Sequence, residues 1–416
     1  MQHVDGLGPL SSGGPQTGTQ SPALLGVVTP GGPPHEEAHS SKVADSVEKF
    51  LGRPLETTRL GEQDVAQNEE GVRALAAAGA WRASSNLAER LLGESHPVDQ
   101  LLRLRWRRIE ALLRLREVPQ AGREMSLLGD LRSHGWQYER YPGLYPGRTG
   151  SMVPFALLVL HATMPSHSKE HEQALARLYA LMAECKEPGT AQSRDECAQI
   201  LLSLVNVMTA LQDYPNAIAH LQQLLELQEH LEGLPPDAPP DAPAGSLPDW
   251  RDPRGLLSLL GRTHLQSGNL DAAKKTYEEL EAKLAEPDAD VQVRLNRGIM
   301  QLALSEYEEA LAQFDAALQL QPSNRELYLE AANNAAVCHL YCCRLSSAIS
   351  TLEGVLKSDP AAVNDQTLVG NLANLYQMTD ASAAAKETLQ CLVAAAADDD
   401  FDMSTLNIGG SAPPAQ

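Results

Sequence analysis

The chain has 416 residues and carries 33 Lys and Arg against 54 Asp and Glu, a formal charge of −21. That balance argues against a general nucleic-acid binder, which needs a basic footprint to displace phosphate counterions. Aromatic residues are 4% of the total while hydrophobic residues are 43%, so the core must be mostly Leu, Ala and Val, a composition that favours helices over β-sandwiches.

Residues 1–42 are dense in Pro, Gly, Ser and Thr and show no period of 2 or 3.6. Such a segment cannot bury enough apolar area to offset its ordering entropy and is predicted to be disordered. It holds a zinc-protease-like pattern, His35-Glu36-Glu37-Ala38-His39, but with no apolar face or flanking core to bury a metal-bearing helix. The first 30 residues contain no Lys or Arg and no signal-peptide core. No apolar run approaches the roughly 18 residues needed to span a bilayer, so any membrane role is expected to be peripheral and indirect.

Residues 43–233 read as a divergent helical-repeat region. An Ala-rich helix and SSNLAERLL pair across Gly79 within 65–92; a second pair lies in 98–131, broken at Pro119, and a third in 152–184, broken around Pro165. His167 and His171 are spaced i,i+4 there, with no third metal ligand nearby. Two stretches stand out as candidate partner-binding sites. LLRLRWRRIEALLRLR, residues 101–116, concentrates arginines, Arg103 and Arg107 among them, around an apolar stripe of Leu102, Trp106, Ile109 and Leu113. These arginines either pair with neighbouring acidic helices or form a docking strip for an acidic partner or anionic lipid heads. YERYPGLYPGRTGSMVPF, residues 138–155, doubles Tyr-Pro-Gly. Pro-Gly prefers a type II turn, which would leave Tyr141 and Tyr145 displayed on a stiff loop, unless the tyrosines pack against the solenoid.

A Pro-rich loop, residues 234–253, precedes the strongest pattern, residues 254–399. Small residues recur twelve apart at Gly261/Ala273, Gly298/Ala310, Ala336/Ala348 and Ala373/Ala385. Four residues beyond each second member stand Tyr277, Phe314, Leu352 and Leu389. The copies begin near 254, 291, 329 and 366. Antiparallel helices cross closely only where side chains are small, and the +4 residue is expected to fill the groove of the next repeat. This resembles the tetratricopeptide repeat, most clearly in RGIMQLALSEYEEALAQFDAALQLQPSN, residues 297–324. The resemblance implies an all-α, right-handed α-solenoid of helix pairs; composition adds a disordered N-terminal segment and a frayed, disordered acidic tail at 400–416. First helices would line an inner face bearing Leu295, Ile299, Leu302, Asn333, Val337 and Leu340, a candidate site for a partner segment. A chaperone-type carboxylate clamp is not expected, since of Ser258, Arg262, Asn296 and Glu330 only Asn296 suits one.

The six cysteines (185, 197, 338, 342, 343, 391) have no CxxC spacing and read as reduced thiols. Cys338 and Cys343 occupy positions usually held by Ala and Gly. With no Walker loop, GxSxG or GxGxxG, no catalytic residue, cofactor or metal is expected. SVEKFLGRPLETTRLGEQDVAQNEEGVRALAAAGAWRASSNLAERLL, then YPGLYPGRTGSMVPFALLVLHA, then the repeats, resemble the subunit 12 family of the trafficking protein particle (TRAPP) complex. Members of that family usually carry a longer, acidic N-terminal region, which residues 1–42 do not match. The resemblance implies a non-catalytic scaffold that binds other TRAPP subunits in an assembly activating Rab GTPases, in endoplasmic reticulum to Golgi traffic and autophagy. It implies a cytoplasmic protein held peripherally at the intermediate compartment and Golgi. The alternative is a tetratricopeptide adaptor of chaperone, ubiquitin or cell-division machinery.

Overall fold

A computed structural model describes residues 45–55, 59–185, 191–229, 250–320, 324–379 and 382–407. The expected arm, 1–42, with its His35–His39 pattern, and most of the expected loop 234–253 lie outside the described residues. Within them the chain is all-α, with no strand; one isolated antiparallel bridge joins Gln137 to Ser151.

The structure divides into two compact units. The first comprises Arg59–Leu284 and the short stretch Asp398–Asp400. Among the described residues its α-helices are α2 (Glu69–Ala77), α3 (Trp81–Leu92), α4 (Val98–Arg114), α5 (Val118–Leu128), α6 (Phe155–His167), α7 (His171–Glu184), α8 (Ala191–Ala210), α9 (Tyr214–Glu229), α10 (Pro253–Gln266) and α11 (Leu270–Ala282). The second unit is built on Ala285–Ala397 with the described residues 45–55 and 401–407. It holds α1 (residues 45–51), α12 (Val291–Ala303), α13 (Tyr307–Gln319), α14 (Arg325–Tyr341), α15 (Leu345–Ser358), α16 (Gln366–Gln377) and α17 (Ser382–Ala396). In both units successive helices pack as pairs, α2 on α3, α4 on α5 and so on through α14 on α15, the tetratricopeptide arrangement.

One turn builds seven of these pairs. The first helix ends, a single residue takes a left-handed conformation, and the second helix starts two residues later. The left-handed residues are Gly79, Arg116, Lys169, Gln212, Gly268, Ser305 and Cys343, all with φ between 58° and 78°. In every case the next residue donates its N–H to the carbonyl five positions before it. Ala80 bonds Leu75 at 3.0 Å, Glu117 bonds Leu112 at 2.8 Å, and Arg344 bonds His339 at 2.8 Å. This Schellman closure satisfies carbonyls that the helix end would otherwise leave bare.

The shared turn corrects two expected breaks. The second pair divides at Arg116, and Pro119 lies inside the first turn of α5, where a missing N–H costs nothing. The third divides at Lys169, which places His167 and His171 on different helices. Pro165 lies within α6; it cannot donate to the His161 carbonyl, and Arg177 Nη1 supplies that bond at 3.1 Å. The +4 side chains also differ from expectation. A Cβ on Gly261 would stand 2.1 Å from Cε1 of Tyr277, so the large ring rests on the small residue of its own repeat rather than in the next groove.

Each unit takes a piece from the far end of the chain. Val47 and Leu51 of α1 are buried in the core with Leu352, Leu356, Val363 and Leu389. Arg53 Nη2 donates to the Ser358 carbonyl at 3.1 Å and closes the C-terminus of α15. In the other unit, α3 has no side-chain cap of its own; Asp399 accepts from the Arg82 N–H at 2.9 Å and donates its own N–H to Gly79 at 3.1 Å. The expected tail from 400 onward is therefore ordered over its first part. Residues Met403–Asn407 form a 3-10 helix, and Leu406 is buried because it completes the core around α16.

Candidate partner-binding surfaces

The face lined by Leu295, Ile299, Leu302, Asn333, Val337 and Leu340 is less open than the sequence implies. Leu295 is fully buried and Ile299 is 7% exposed, so these two are core residues, not an apolar docking surface. The reason lies in α12: Val293, Leu295, Asn296, Gly298 and Ile299 are all buried, so the helix is covered on more than one side. Leu302, Val337 and Leu340 remain half-buried. Leu340 packs against the core of its own unit. Asn333 is engaged by a neighbouring repeat, accepting from Asn371 Nδ2 at 2.8 Å. This single amide–amide bond ties α14 to α16.

In the arginine-rich helix α4, the apolar stripe is buried as expected, and most of the guanidinium groups are spoken for. Arg103 bonds Glu69 at 2.9 Å and Asp99 at 3.0 Å, and these carboxylates outweigh its burial to raise its pKa. Arg105 pairs with Glu124 at 2.8 Å. Arg107 pairs with Glu110 at 3.0 Å and stacks 4.1 Å over the Trp106 ring. Arg108, buried, reaches both Glu89 and Glu124. The strip is an internal ion-pair network joining α2, α3, α4 and α5. Arg103 and Arg107 are structural residues in it rather than a free docking strip. Arg108, the buried one, is held because leaving it buried and unpaired would cost several kcal/mol.

The Tyr-Pro-Gly doublet forms an ordered loop. Pro146-Gly147 makes the expected type II turn, with Gly147 at φ 77° and Arg148 N–H on the Tyr145 carbonyl at 3.3 Å. Pro142-Gly143 does not, because Gly143 keeps a negative φ; there Leu144 N–H closes on the Tyr141 carbonyl at 3.0 Å. Tyr145 is consequently turned inward rather than displayed. It is 9% exposed, its hydroxyl donates to Asp99, and it meets Tyr138 edge-on at 5.1 Å. Burial would raise the Asp99 carboxyl, but hydrogen bonds from Tyr145 and Arg103 overcome this and hold it below the ordinary range. Tyr141 is half-buried against the core of α4 to α6.

What the loop displays is Leu144, 61% exposed. The base is braced from several sides. Tyr138 N–H bonds the Gly150 carbonyl at 2.9 Å, Met152 N–H bonds Trp136 at 2.8 Å, and Glu139 accepts from Gly150 N–H at 2.8 Å. Beside the loop runs a cleft of about 430 Å³ between Pro97 and Gln100 on one side and Leu144, Pro146 and Arg148 on the other. The sequence signal for Leu144 was its position between two Pro-Gly turns, a detail that attention to the tyrosines hides.

Cys338 is fully buried, and burial raises its thiol pKa to about 12, so it is a packing residue. Cys343, by contrast, is the exposed left-handed turn residue of its pair, where Gly268 stands in another. No helix among the described residues is long and apolar enough to cross a membrane.

Residues 258–325 match the tetratricopeptide repeat family. In an alignment of 409 positions covering 88% of the chain it is 28% identical to trafficking protein particle complex subunit 12 of Mus musculus, and in one of 408 positions it is 27% identical to the Homo sapiens protein of that name. The chain spans about half the length of these relatives, 48% and 52%. Among solved structures, a tetratricopeptide repeat protein from Parabacteroides merdae aligns over 71% of this chain and 97% of its own, with 15% identity and a TM-score of 0.41. The apo quorum sensor NprR from B. thuringiensis aligns over 86% and 94%, with 12% identity and a TM-score of 0.42.

Proposed function

We propose that this chain is a non-catalytic scaffold or adaptor subunit of the trafficking protein particle complex, serving endoplasmic reticulum to Golgi vesicle transport and autophagy. The observation that carries the reading is the 27–28% identity to subunit 12 proteins over 88% of the chain, which reaches well beyond the generic repeats at 258–325. The physical design is consistent with it. Stacked helix pairs hold side chains at fixed spacing over a long surface and need no reactive centre. On this reading the partners are other subunits of the complex, and the protein works in the cytoplasm, held at the intermediate compartment and Golgi membranes through those partners rather than by a lipid contact of its own.

The test is purification of the endogenous chain under native conditions, with identification of every co-eluting protein. Co-elution of the other subunits in fixed proportion is the expected result. Recovery with a chaperone, a ubiquitin ligase or a cell-division complex, and without those subunits, would replace this reading by the general tetratricopeptide adaptor.

A further inference from the structure

The loop carrying Leu144 combines three properties that a connecting segment does not need. It is rigid, being closed by two successive Pro-Gly turns, pinned through Tyr145 to Asp99 and bridged at its base between Gln137 and Ser151. It holds a large apolar side chain out in solvent at 61% exposure. Its two arginines, Arg140 and Arg148, are exposed and have no ion pair among the described residues, whereas those along α4 are largely paired within the fold. Arg148 lies 5.5 Å over the Tyr138 ring, which fixes its direction without neutralising it. A single exposed leucine is unremarkable on most surfaces. Here it is held by a preorganised scaffold, so binding through it would lose little conformational entropy.

We infer that this loop and the adjoining cleft dock an extended segment of a partner protein that carries carboxylates on either side of an apolar side chain. The apolar side chain packs against Leu144, Pro146 and Pro97, and the carboxylates meet Arg148 and Arg140. Charge selects the occupant. Residues 138–150 hold two arginines against one glutamate; Glu139 is committed to the Gly150 N–H, and Asp99, which also lines the cleft beside Arg103, to Tyr145 and Arg103, in a chain whose net charge is −21. A basic segment would be drawn to nearly any other part of the molecule; an acidic one finds two free guanidinium groups here. An anionic membrane would instead meet the field of the whole negative chain, which opposes approach to a lipid surface. The inference rests on the adaptor reading and adds the chemistry of one partner contact.

It is tested by placing a photo-crosslinking residue at position 144 (Leu144→p-benzoylphenylalanine) in the chain expressed in cells, and sequencing the crosslinked peptides. The expected product is a peptide of another protein with Asp or Glu on both sides of the crosslinked residue. Its yield should fall about tenfold or more with Arg140→Glu and Arg148→Glu together. It should stay unchanged with Arg123→Glu, a reversal on α5. Arg148→Ala, which adds no new charge, should give an intermediate loss and guards against misfolding of the double variant. A crosslink to lipid, to a basic or uncharged segment, or with a yield indifferent to the reversals overturns the inference. The two readings fail separately. An acidic partner from outside the trafficking assembly would remove the adaptor reading and leave the docking site. Absence of any crosslink while the other subunits still co-purify would remove the docking site alone.

Discussion

A methyl group placed on Gly298 would lie 2.5 Å from Cε1 of Phe314, inside the fully buried ring's own van der Waals shell. The glycine is on α12 and the ring on α13, so the missing side chain sets how closely this pair can cross. Gly298→Ala should therefore destabilise the second unit by about 1–3 kcal/mol, the usual penalty for overpacking. Gly354→Ala, on the exposed side of α15 with nothing within 4 Å, should instead stabilise by about 0.5–1 kcal/mol. Denaturant titration of both variants checks the pair, and equal effects would show that helix propensity rather than the crossing governs Gly298.

The turn shared by seven helix pairs predicts stabilising substitutions. Five of its left-handed positions are not glycine: Arg116, Lys169, Gln212, Ser305 and Cys343. An L-residue there is disfavoured by roughly 1–2 kcal/mol relative to its right-handed form. Ser305→Gly and Cys343→Gly should each raise stability by about 0.5–1 kcal/mol, less than the full strain because glycine also frees the unfolded chain. Gly268→Ala should lower it by a similar amount. Thermal unfolding midpoints of the three variants decide the matter.

Asp399 serves as the missing N-cap of α3, and its removal should behave as cap loss does. Asp399→Ala is expected to cost about 1 kcal/mol, with Asp399→Asn retaining most of the stability because its carbonyl can still accept from Arg82. Hydrogen exchange at the first turn of α3 should accelerate in the alanine variant, while exchange in α8 and α9 should not change.

Burial lowers the pKa values of His161 and His264 below the ordinary 6.5, with Arg177 adding to the effect at His161. Both rings therefore resist protonation in the folded state, and the unfolded chain binds more protons just below pH 6.5. Their contribution is present above that pH and is lost as pH falls through the folded values. The unfolding midpoint of the parent should drop more between pH 7 and pH 5 than that of His161→Gln. Identical slopes would mean that protonation there is coupled to nothing.

Most of the architecture was legible because packing writes itself as spacing. The Gly/Ala pairs twelve apart and the large residue at +4 reappear as helix crossings, and the Leu102, Trp106, Ile109 and Leu113 stripe is core. What escaped was set by tertiary partners. Pro165 reads as a breaker, and only Arg177 on the next helix, donating to the His161 carbonyl, shows why α6 continues through it. Leu295 and Ile299 read as surface because periodicity reveals that a face is apolar, not how many neighbours cover it. The arginines of α4 look like a docking strip until Glu69, Glu89 and Glu124 are brought alongside. Tyr145 looks displayed until its hydroxyl finds Asp99, 46 residues earlier. Such pairings at long separation leave no local trace.

The piece that each unit takes from the far end of the chain bears on synthesis. Arg53 waits for a carbonyl 305 residues later, and the N–H of Arg82 waits for a carboxylate 317 residues later. At ~5–20 residues per second, a ribosome delivers those partners only after about 15–60 s. Throughout that interval α1 has left the exit tunnel with Val47, Phe50 and Leu51 facing solvent, and α3 is uncapped. Neither unit can finish folding as it emerges, so the nascent chain carries a helix with an unpaired apolar face that must be shielded until the repeats it packs on are made.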